Sequence, residues 1–185
     1  MPPTLIVVSG PAGTGKTTLA HELARAVGCP AVCRDEIKEG MVHATPGFAP
    51  SPGDPLTMRT LTTFFEVLGL LLRAGVTVVA EAAFQDRVWR PRLEPLTGLA
   101  ELRVVRCSVG TTVAHGRIAR RTGEHATRGA HDDGELLRRL ACGEDLFAGF
   151  VPIRMDVPTL DVDTTDGYDP GLPDIVTFAR TGRTS

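Results

Sequence analysis

Short apolar runs alternate with longer segments of helical periodicity along this chain. The apolar runs are rich in β-branched residues and predict buried strands over residues 4–9, 30–33, 76–80, 102–107 and 160–163. Apolar residues at helical spacing predict helices over residues 17–25, 36–39, 58–73, 87–96, 112–121, 135–147 and 173–180. Because strands that alternate with helices form parallel sheets covered on both faces, the pattern predicts a three-layer α/β/α domain with a mainly parallel five-stranded sheet. The chain has 185 residues, so residues 1–185 are predicted to form a single domain.

The loop between the first predicted strand and the first predicted helix carries a phosphate-binding motif. Residues Gly10-Pro11-Ala12-Gly13-Thr14-Gly15-Lys16-Thr17 fit the pattern G-x-x-x-x-G-K-[ST]. Glycines let such a loop turn successive backbone N–H groups inward, and the helix N-terminus behind it adds positive potential. The motif therefore predicts a P-loop NTPase domain whose nucleotide site is formed by residues 10–17 together with Thr18.

Lys16 and Thr17 carry the charge and the metal chemistry of this loop. Lys16 is expected to contact the β- and γ-phosphates, which makes it a predicted catalytic residue, and the Thr17 hydroxyl is expected to complete the coordination of Mg²⁺. The loop predicts a nucleoside triphosphate and Mg²⁺ as ligands, without choosing between ATP and GTP.

A second group of charged residues follows the second predicted strand. Asp35 comes about twenty residues after the loop, at a strand end that should face the crevice where open α/β sheets bind ligands. A carboxylate there can accept the proton of an acceptor hydroxyl, so Asp35 is a candidate general base and Arg34 and Lys38 are candidate contacts for the acceptor. The alternative is that Asp35 only caps the helix that begins at Glu36.

Glu81 ends the third predicted strand, which is otherwise apolar. P-loop proteins often place an acid here, either to hold the hydration shell of Mg²⁺ or to orient the acceptor. Glu81 is therefore predicted to contact the metal through water or to contact the substrate.

Several arginines follow the fourth predicted strand and indicate a lid over residues 117–133. An arginine-rich lid can close over ATP and neutralise charge on the phosphoryl group in transfer. Arg117 and Arg120 are predicted nucleotide contacts, Arg121 a predicted catalytic residue and Arg128 a predicted substrate contact. Thr164, after the last predicted strand, is expected to face the nucleotide base.

Composition narrows the range of partners. The net charge is −2 with both signs interspersed, which gives no global reason to expect nucleic acid or an anionic membrane. The apolar runs are too short to cross a bilayer and the N-terminus lacks a signal sequence, so the protein is predicted to be cytoplasmic with no membrane partner. The four cysteines and five histidines show no common zinc-ligand spacing, so no protein-held zinc is predicted. Oligomeric state cannot be predicted from these features.

Four features of the chain, taken in order, resemble a known family. They are the phosphate-binding loop, the segment Arg34-Asp35-Glu36-Ile37-Lys38-Glu39-Gly40, the strand that ends in Glu81, and the arginine segment. The sequence is similar to small P-loop kinases of the AAA_33 type, which are related to polynucleotide 5′-kinase, chloramphenicol phosphotransferase and zeta toxin. Asp163-Thr164-Thr165-Asp166-Gly167-Tyr168 resembles the family's terminal motif. The resemblance covers most of the chain and implies ATP as phosphoryl donor, Asp35 as general base, and ATP contacts for the lid arginines.

The resemblance fixes a reaction type without fixing the acceptor. The chain has one Trp, one Tyr and no long basic stretch, which favours a small hydroxyl acceptor such as an antibiotic, nucleoside or sugar over a polynucleotide. Four phenylalanines are candidate acceptor walls or, alternatively, core residues: Phe48, Phe64, Phe65 and Phe84. A hypothesis from another class is a nucleotide-gated binding module with little or no phosphoryl transfer.

Overall fold

The strands of the protein form one parallel sheet. The structure, a computed structural model, describes residues 2–49, 51, 54–124, 138, 147 and 149–184, and only the backbone of residues 121–124. Within these ranges the sheet has five strands in the order β2-β3-β1-β4-β5, all parallel to their neighbours. The strands are β1 (Thr4–Ser9), β2 (Ala31–Cys33), β3 (Val78–Glu81), β4 (Glu101–Ser108) and β5 (Thr159–Asp163).

Helices connect the strands and lie on both faces of the sheet. The described helices are α1 (Lys16–Val27), α2 (Arg34–His43), α3 (Pro55–Arg73), α4 (Asp86–Leu93), α5 (Thr111–Glu124) and α6 (Leu172–Thr181), with a 3₁₀ turn over Glu94–Gly98.

Two hydrophobic cores lie on opposite faces of the sheet. Alternate residues of β1 belong to different cores, because successive side chains of a strand point to opposite faces. Leu5 and Val7 pack with α3 and α4, whereas Ile6 and Val8 pack with α1 and α6. The predicted three-layer α/β/α architecture is therefore confirmed.

Helix α3 supplies much of the first core. Phe64 is fully buried and packs against Phe84 and Trp89, with ring centroids 6.0 and 5.9 Å away. The core role of Phe64 and Phe84, one of the two alternatives from the sequence, is the one observed. Helix α3 is long and apolar enough to cross a bilayer by length and composition alone, but its buried side packs against the sheet, as is expected of a core helix.

Element ends differ from the predictions where local capping decides them. Helix α2 begins at Arg34 with Cys33 as its N-cap, so the prediction that Asp35 caps this helix is wrong. Helix α3 begins at Pro55, because the Asp54 side chain accepts a hydrogen bond from the Thr57 backbone and proline suits the first helical position. Most residues of the predicted helix over 135–147 and of the predicted lid over 117–133 lie outside the described residues.

Candidate active site

The phosphate-binding loop is closed by tight backbone packing. A Cβ atom at Gly10 would lie 2.7 Å from the Cys107 carbonyl oxygen, and one at Gly13 would lie 2.8 Å from the Ala114 carbonyl oxygen. Gly13 also has a φ of +81°, which larger residues rarely adopt. Inside the loop, the fully buried Thr14 donates a hydrogen bond of 2.9 Å to the Pro11 carbonyl. The close approaches explain why glycine is required at positions 10 and 13, and the Thr14 hydrogen bond stabilises the curved conformation of the loop.

Lys16, Thr17 and Glu81 meet at the carboxyl end of the central strands. The Lys16 ammonium lies 3.7 Å from Glu81 Oε1 and 3.5 Å from the Pro11 carbonyl oxygen. The Thr17 hydroxyl donates a hydrogen bond of 3.2 Å to Glu81 Oε2. A hydroxyl and a carboxylate so placed are oxygen donors of the kind that Mg²⁺ prefers, directly or through water. The residues present therefore fit a site for a metal–triphosphate complex, with Lys16 and the loop beside the phosphates.

Glu81 is buried despite its charge. Its exposed fraction is 1%, and burial raises the pKa of its carboxyl group, although Lys16 and the Thr17 hydrogen bond oppose that rise. The negative charge of Asp35 also contributes to the rise in this pKa, which indicates that the two carboxylates share one electrostatic environment.

Strand register brings Asp35 to the same place. Cys33 of β2 pairs with Glu81 of β3, and Glu81 pairs with Val8 of β1, two residues before the loop begins. Asp35 follows Cys33 by two residues and accepts a hydrogen bond of 2.8 Å from Arg34 Nη1. The sequence-based expectation that Asp35 and the loop belong to one crevice thus agrees with the topology. The roles assigned to these residues stay predictions.

Lys38 is held in a buried ion pair. Its ammonium donates hydrogen bonds of 2.9 Å to Asp54 and 3.1 Å to the Thr57 hydroxyl, and the exposed fractions of Lys38 and Asp54 are 6% and 5%. Burial alone would raise the pKa of Asp54, but the hydrogen bonds from Lys38 and Thr57 outweigh it and hold that pKa below its ordinary value. The pair joins α2 to the start of α3. The contact of Lys38 with an acceptor stays a prediction.

Thr164 and Arg117 brace the back of the loop. The Thr164 hydroxyl lies 2.7 Å from the Thr14 carbonyl oxygen and 3.1 Å from the Ser108 carbonyl oxygen. Arg117 donates a hydrogen bond of 2.6 Å to the Thr164 carbonyl, and its Nη1 would lie 3.6 Å from a Cβ at Gly15. Both residues are therefore beside the loop, and their predicted contacts with the nucleotide remain predictions.

The remaining predicted nucleotide and lid residues are exposed or lie outside the described side chains. Arg120 is exposed on α5. The side chain of Arg121 and the whole of Arg128 lie outside the described residues. Thr18 is exposed in the first turn of α1.

A cavity of about 280 Å³ opens beside the first residues of the loop. Its walls include Pro11, Val109, Phe150 and Pro152, and the ion pair between Arg106 and Asp161 lies at its polar side. The cavity has room for a small organic group next to the loop.

Some residues of this region were not identified from the sequence. Ser9 is buried, and its hydroxyl donates a hydrogen bond of 3.0 Å to the Ala83 carbonyl, which fixes the segment after β3 against β1. Asp54 is the partner of Lys38, and the Asp54-Pro55 pair is a helix-start signal that could have identified it. His21, Cys33 and Glu36 form a cluster of potential metal ligands that sequence spacing did not reveal, since the sequence led to the prediction of no protein-held zinc.

Comparisons with known proteins place the chain among P-loop proteins. The sequence model of the AAA_33 family, described as an AAA domain, matches residues 5–140. No curated protein sequence matches the chain.

Solved structures show the same fold at low sequence identity. A protein from Chloroflexus aurantiacus J-10-fl, provisionally described as a kinase, is 24% identical over 100% of both chains with a TM-score of 0.83. A sugar kinase from Janibacter sp. HTCC2649 is 22% identical over 88% of this chain and 86% of its own, with a TM-score of 0.58. The Mycobacterium tuberculosis APS kinase CysC, solved with AMPPNP and APS, is 14% identical over 97% of this chain and 98% of its own, with a TM-score of 0.62.

Proposed function

Because the chain belongs to the AAA_33 family and has the fold of P-loop kinases, we propose that it transfers the γ-phosphoryl group of ATP to a hydroxyl group of a small molecule. The observation that carries the proposal is the convergence of Lys16, Thr17, Glu81 and Asp35 at one edge of the sheet. A phosphate loop alone serves many nucleotide-binding functions, whereas a carboxylate opposite the loop is the group that a kinase needs for its acceptor.

Each of these side chains has a role in the proposed reaction. Lys16 and the backbone N–H groups of the loop hold the β- and γ-phosphates, and Thr17 and Glu81 supply oxygen atoms to Mg²⁺ or its water shell. Mg²⁺ neutralises phosphate charge when it is bound. Asp35 orients the acceptor hydroxyl and accepts its proton as that oxygen bonds to the γ-phosphorus and the bond to the β-phosphate oxygen breaks, which leaves ADP.

Arg34 has a positioning role in this proposal. Its hydrogen bond of 2.8 Å to Asp35 holds the carboxylate in one orientation. Arg117 stabilises negative charge on the phosphates from the side of α5, and Arg120, Arg121 and Arg128 are assigned to the lid.

The charges around Asp35 favour a neutral acceptor. Arg34 and Lys38, the two cations predicted to contact the acceptor, are paired with Asp35 and Asp54. Paired cations contribute little to binding a phosphate backbone, which depends on unneutralised Lys and Arg. This pairing supports a hydroxylated small molecule over a polynucleotide as the acceptor.

The proposal is tested with ATP labelled in its γ-phosphate, Mg²⁺ and separate acceptor panels. The panels are 5′-hydroxyl oligonucleotides, nucleosides, simple sugars, aminoglycosides and phenicol-type antibiotics. The expected result is a labelled product from one of the small-molecule panels that requires both enzyme and Mg²⁺. Label transferred only to oligonucleotides would overturn the assignment to small molecules, and ATP binding with no transfer to any panel would favour a nucleotide-gated binding module.

A further inference from the structure

Three potential metal ligands from three elements meet next to the candidate active site. His21 lies on α1, Cys33 ends β2 and Glu36 lies in the first turn of α2. The distance from His21 Nε2 to Glu36 Oε1 is 2.6 Å, and that from His21 Nε2 to Cys33 Sγ is 3.7 Å. All three ligand atoms lie within 4.8 Å of one another.

The chemistry of this set differs from that of the magnesium site. An imidazole nitrogen, a thiol sulfur and a carboxylate oxygen together suit Zn²⁺, whereas Mg²⁺ takes oxygen ligands almost alone. Three protein ligands would leave the fourth tetrahedral position of Zn²⁺ for water.

The observed distances are close to those that tetrahedral zinc requires. Zn–N and Zn–O bonds near 2.0 Å and a Zn–S bond near 2.3 Å imply ligand separations of roughly 3.3 Å for N···O and 3.5 Å for S···N. The S···N separation already agrees. The N···O separation must open by roughly 0.7 Å to admit the ion, and the side chains of His21 and Glu36 are free to do so because their exposed fractions are 45% and 51%.

A plain ion pair between His21 and Glu36 does not explain the whole cluster. Cys33 is buried, yet its sulfur faces the same imidazole nitrogen that contacts Glu36. Metal ions bind the thiolate form of cysteine, so binding at Cys33 would displace the thiol proton to solvent.

We propose that His21, Cys33 and Glu36 form a Zn²⁺ site with one coordination position open to solvent. The site is separate from the magnesium position at Thr17, but it lies in the same region, because Cys33 pairs with Glu81 on neighbouring strands. A metal there would fix the junction between β2 and α2 from which Asp35 projects.

Cobalt(II) is the probe that tests this site directly, because thiolate coordination gives a charge-transfer band in the near ultraviolet. The full chain is stripped with a chelator and titrated with Co²⁺ in the absence of nucleotide. The expected result is one equivalent of bound Co²⁺ with a thiolate band and with d–d absorption of tetrahedral intensity. Cys33→Ser should remove the thiolate band, whereas Cys29→Ser, a change at a partly buried cysteine outside the cluster, should keep it.

Zn²⁺ affinity supplies the second readout and does not depend on a buried substitution. Competition with a chromophoric chelator should show that Zn²⁺ binds at least about tenfold more weakly to His21→Asn and to Glu36→Gln. Loss of a residue that only hydrogen-bonds to a metal ligand already weakens metal affinity by that factor. His43→Asn, at an exposed histidine on α2, should leave the affinity unchanged, and circular dichroism checks that each variant is folded. Any of three results would overturn the proposal. They are a wild type without the thiolate band, a thiolate band that persists in Cys33→Ser, and unchanged Zn²⁺ affinity in both His21→Asn and Glu36→Gln.

Discussion

The Thr17 hydroxyl donates a hydrogen bond of 3.2 Å to the Glu81 carboxylate, although 64 positions of the chain separate the two residues. Thr17 is the last residue of the phosphate-loop motif, and Glu81 is the last residue of β3. The contact exists because β1 and β3 are parallel neighbours, so the loop after one strand meets the end of the other. In the proposed kinase these two side chains jointly position Mg²⁺.

Replacing Lys16 with alanine is expected to reduce phosphoryl transfer by at least about 100-fold, the typical effect of removing one preorganised group that stabilises charge in a transition state. The reason is the loss of the ammonium group beside Glu81 and Pro11, where the β- and γ-phosphates are proposed to bind. The measurement is steady-state transfer of labelled γ-phosphate. Arg25→Ala, at an exposed position on the same helix, is the control and should retain activity.

The buried carboxyl of Glu81 predicts a pH dependence of stability. Because burial raises the pKa of Glu81 above its ordinary value of 4.5, the folded protein keeps a proton that the unfolded chain releases. The stabilisation from this group is therefore full below pH 4.5 and is lost as the pH rises through the folded-state pKa. Urea unfolding without nucleotide should show that the free energy of unfolding of the wild type, relative to Glu81→Gln, falls as pH rises. A difference between the two proteins that stays constant or rises with pH would contradict this. The control is Glu66→Gln, at an exposed site, whose free energy of unfolding should change with pH as that of the wild type does.

Lys38→Met should lower the free energy of unfolding by about 3 kcal/mol, because it leaves the Asp54 charge buried without its cation. Urea denaturation measures the change. The matched control is Arg90→Met, which removes an exposed pair between α4 and Glu94 of the following 3₁₀ turn and should cost no more than about 0.5 kcal/mol. Equal effects of the two substitutions would show that the buried pair does not stabilise the junction of α2 and α3.

Thr164→Val tests the brace behind the phosphate loop. The substitution keeps the side-chain volume but removes the hydroxyl near the carbonyl oxygens of Thr14 and Ser108, so a buried acceptor loses its partner. We expect a loss of about 1–3 kcal/mol in the free energy of unfolding and weaker nucleotide binding, measured by calorimetry. Thr177→Val, at an exposed position on α6, should change neither quantity appreciably. If Thr164→Val is destabilised but binds nucleotide with unchanged affinity, the Thr164 hydroxyl stabilises the fold without shaping the nucleotide site.

Local signals allowed much of the fold and part of the candidate site to be predicted. The phosphate loop is contiguous, and its glycines satisfy local requirements, as the close approaches at Gly10 and Gly13 illustrate. Asp35 and Glu81 were identifiable because each follows an apolar strand, and parallel strands place their carboxyl ends along one edge.

Features that depend on tertiary contacts were not predictable. The ion pair of Lys38 and Asp54 joins residues on either side of a long loop, so no local pattern in the sequence indicated that the two would meet. The cluster of His21, Cys33 and Glu36 follows no familiar ligand spacing, because it depends on how α1 packs beside the β2–α2 junction. Strand order, with β3 between β2 and β1, is likewise a property of the whole sheet.

The most direct test of the central claim compares wild type with Asp35→Asn in two measurements, kcat for γ-phosphoryl transfer to the acceptor and the affinity for ATP. Asp156→Asn, an exposed substitution before β5 and thus at the opposite edge of the sheet, is the matched control. If Asp35 accepts the proton of the acceptor, kcat should fall by about 100-fold or more while ATP affinity changes little. Turnover in Asp35→Asn equal to that of Asp156→Asn would contradict the assignment of Asp35 as the general base.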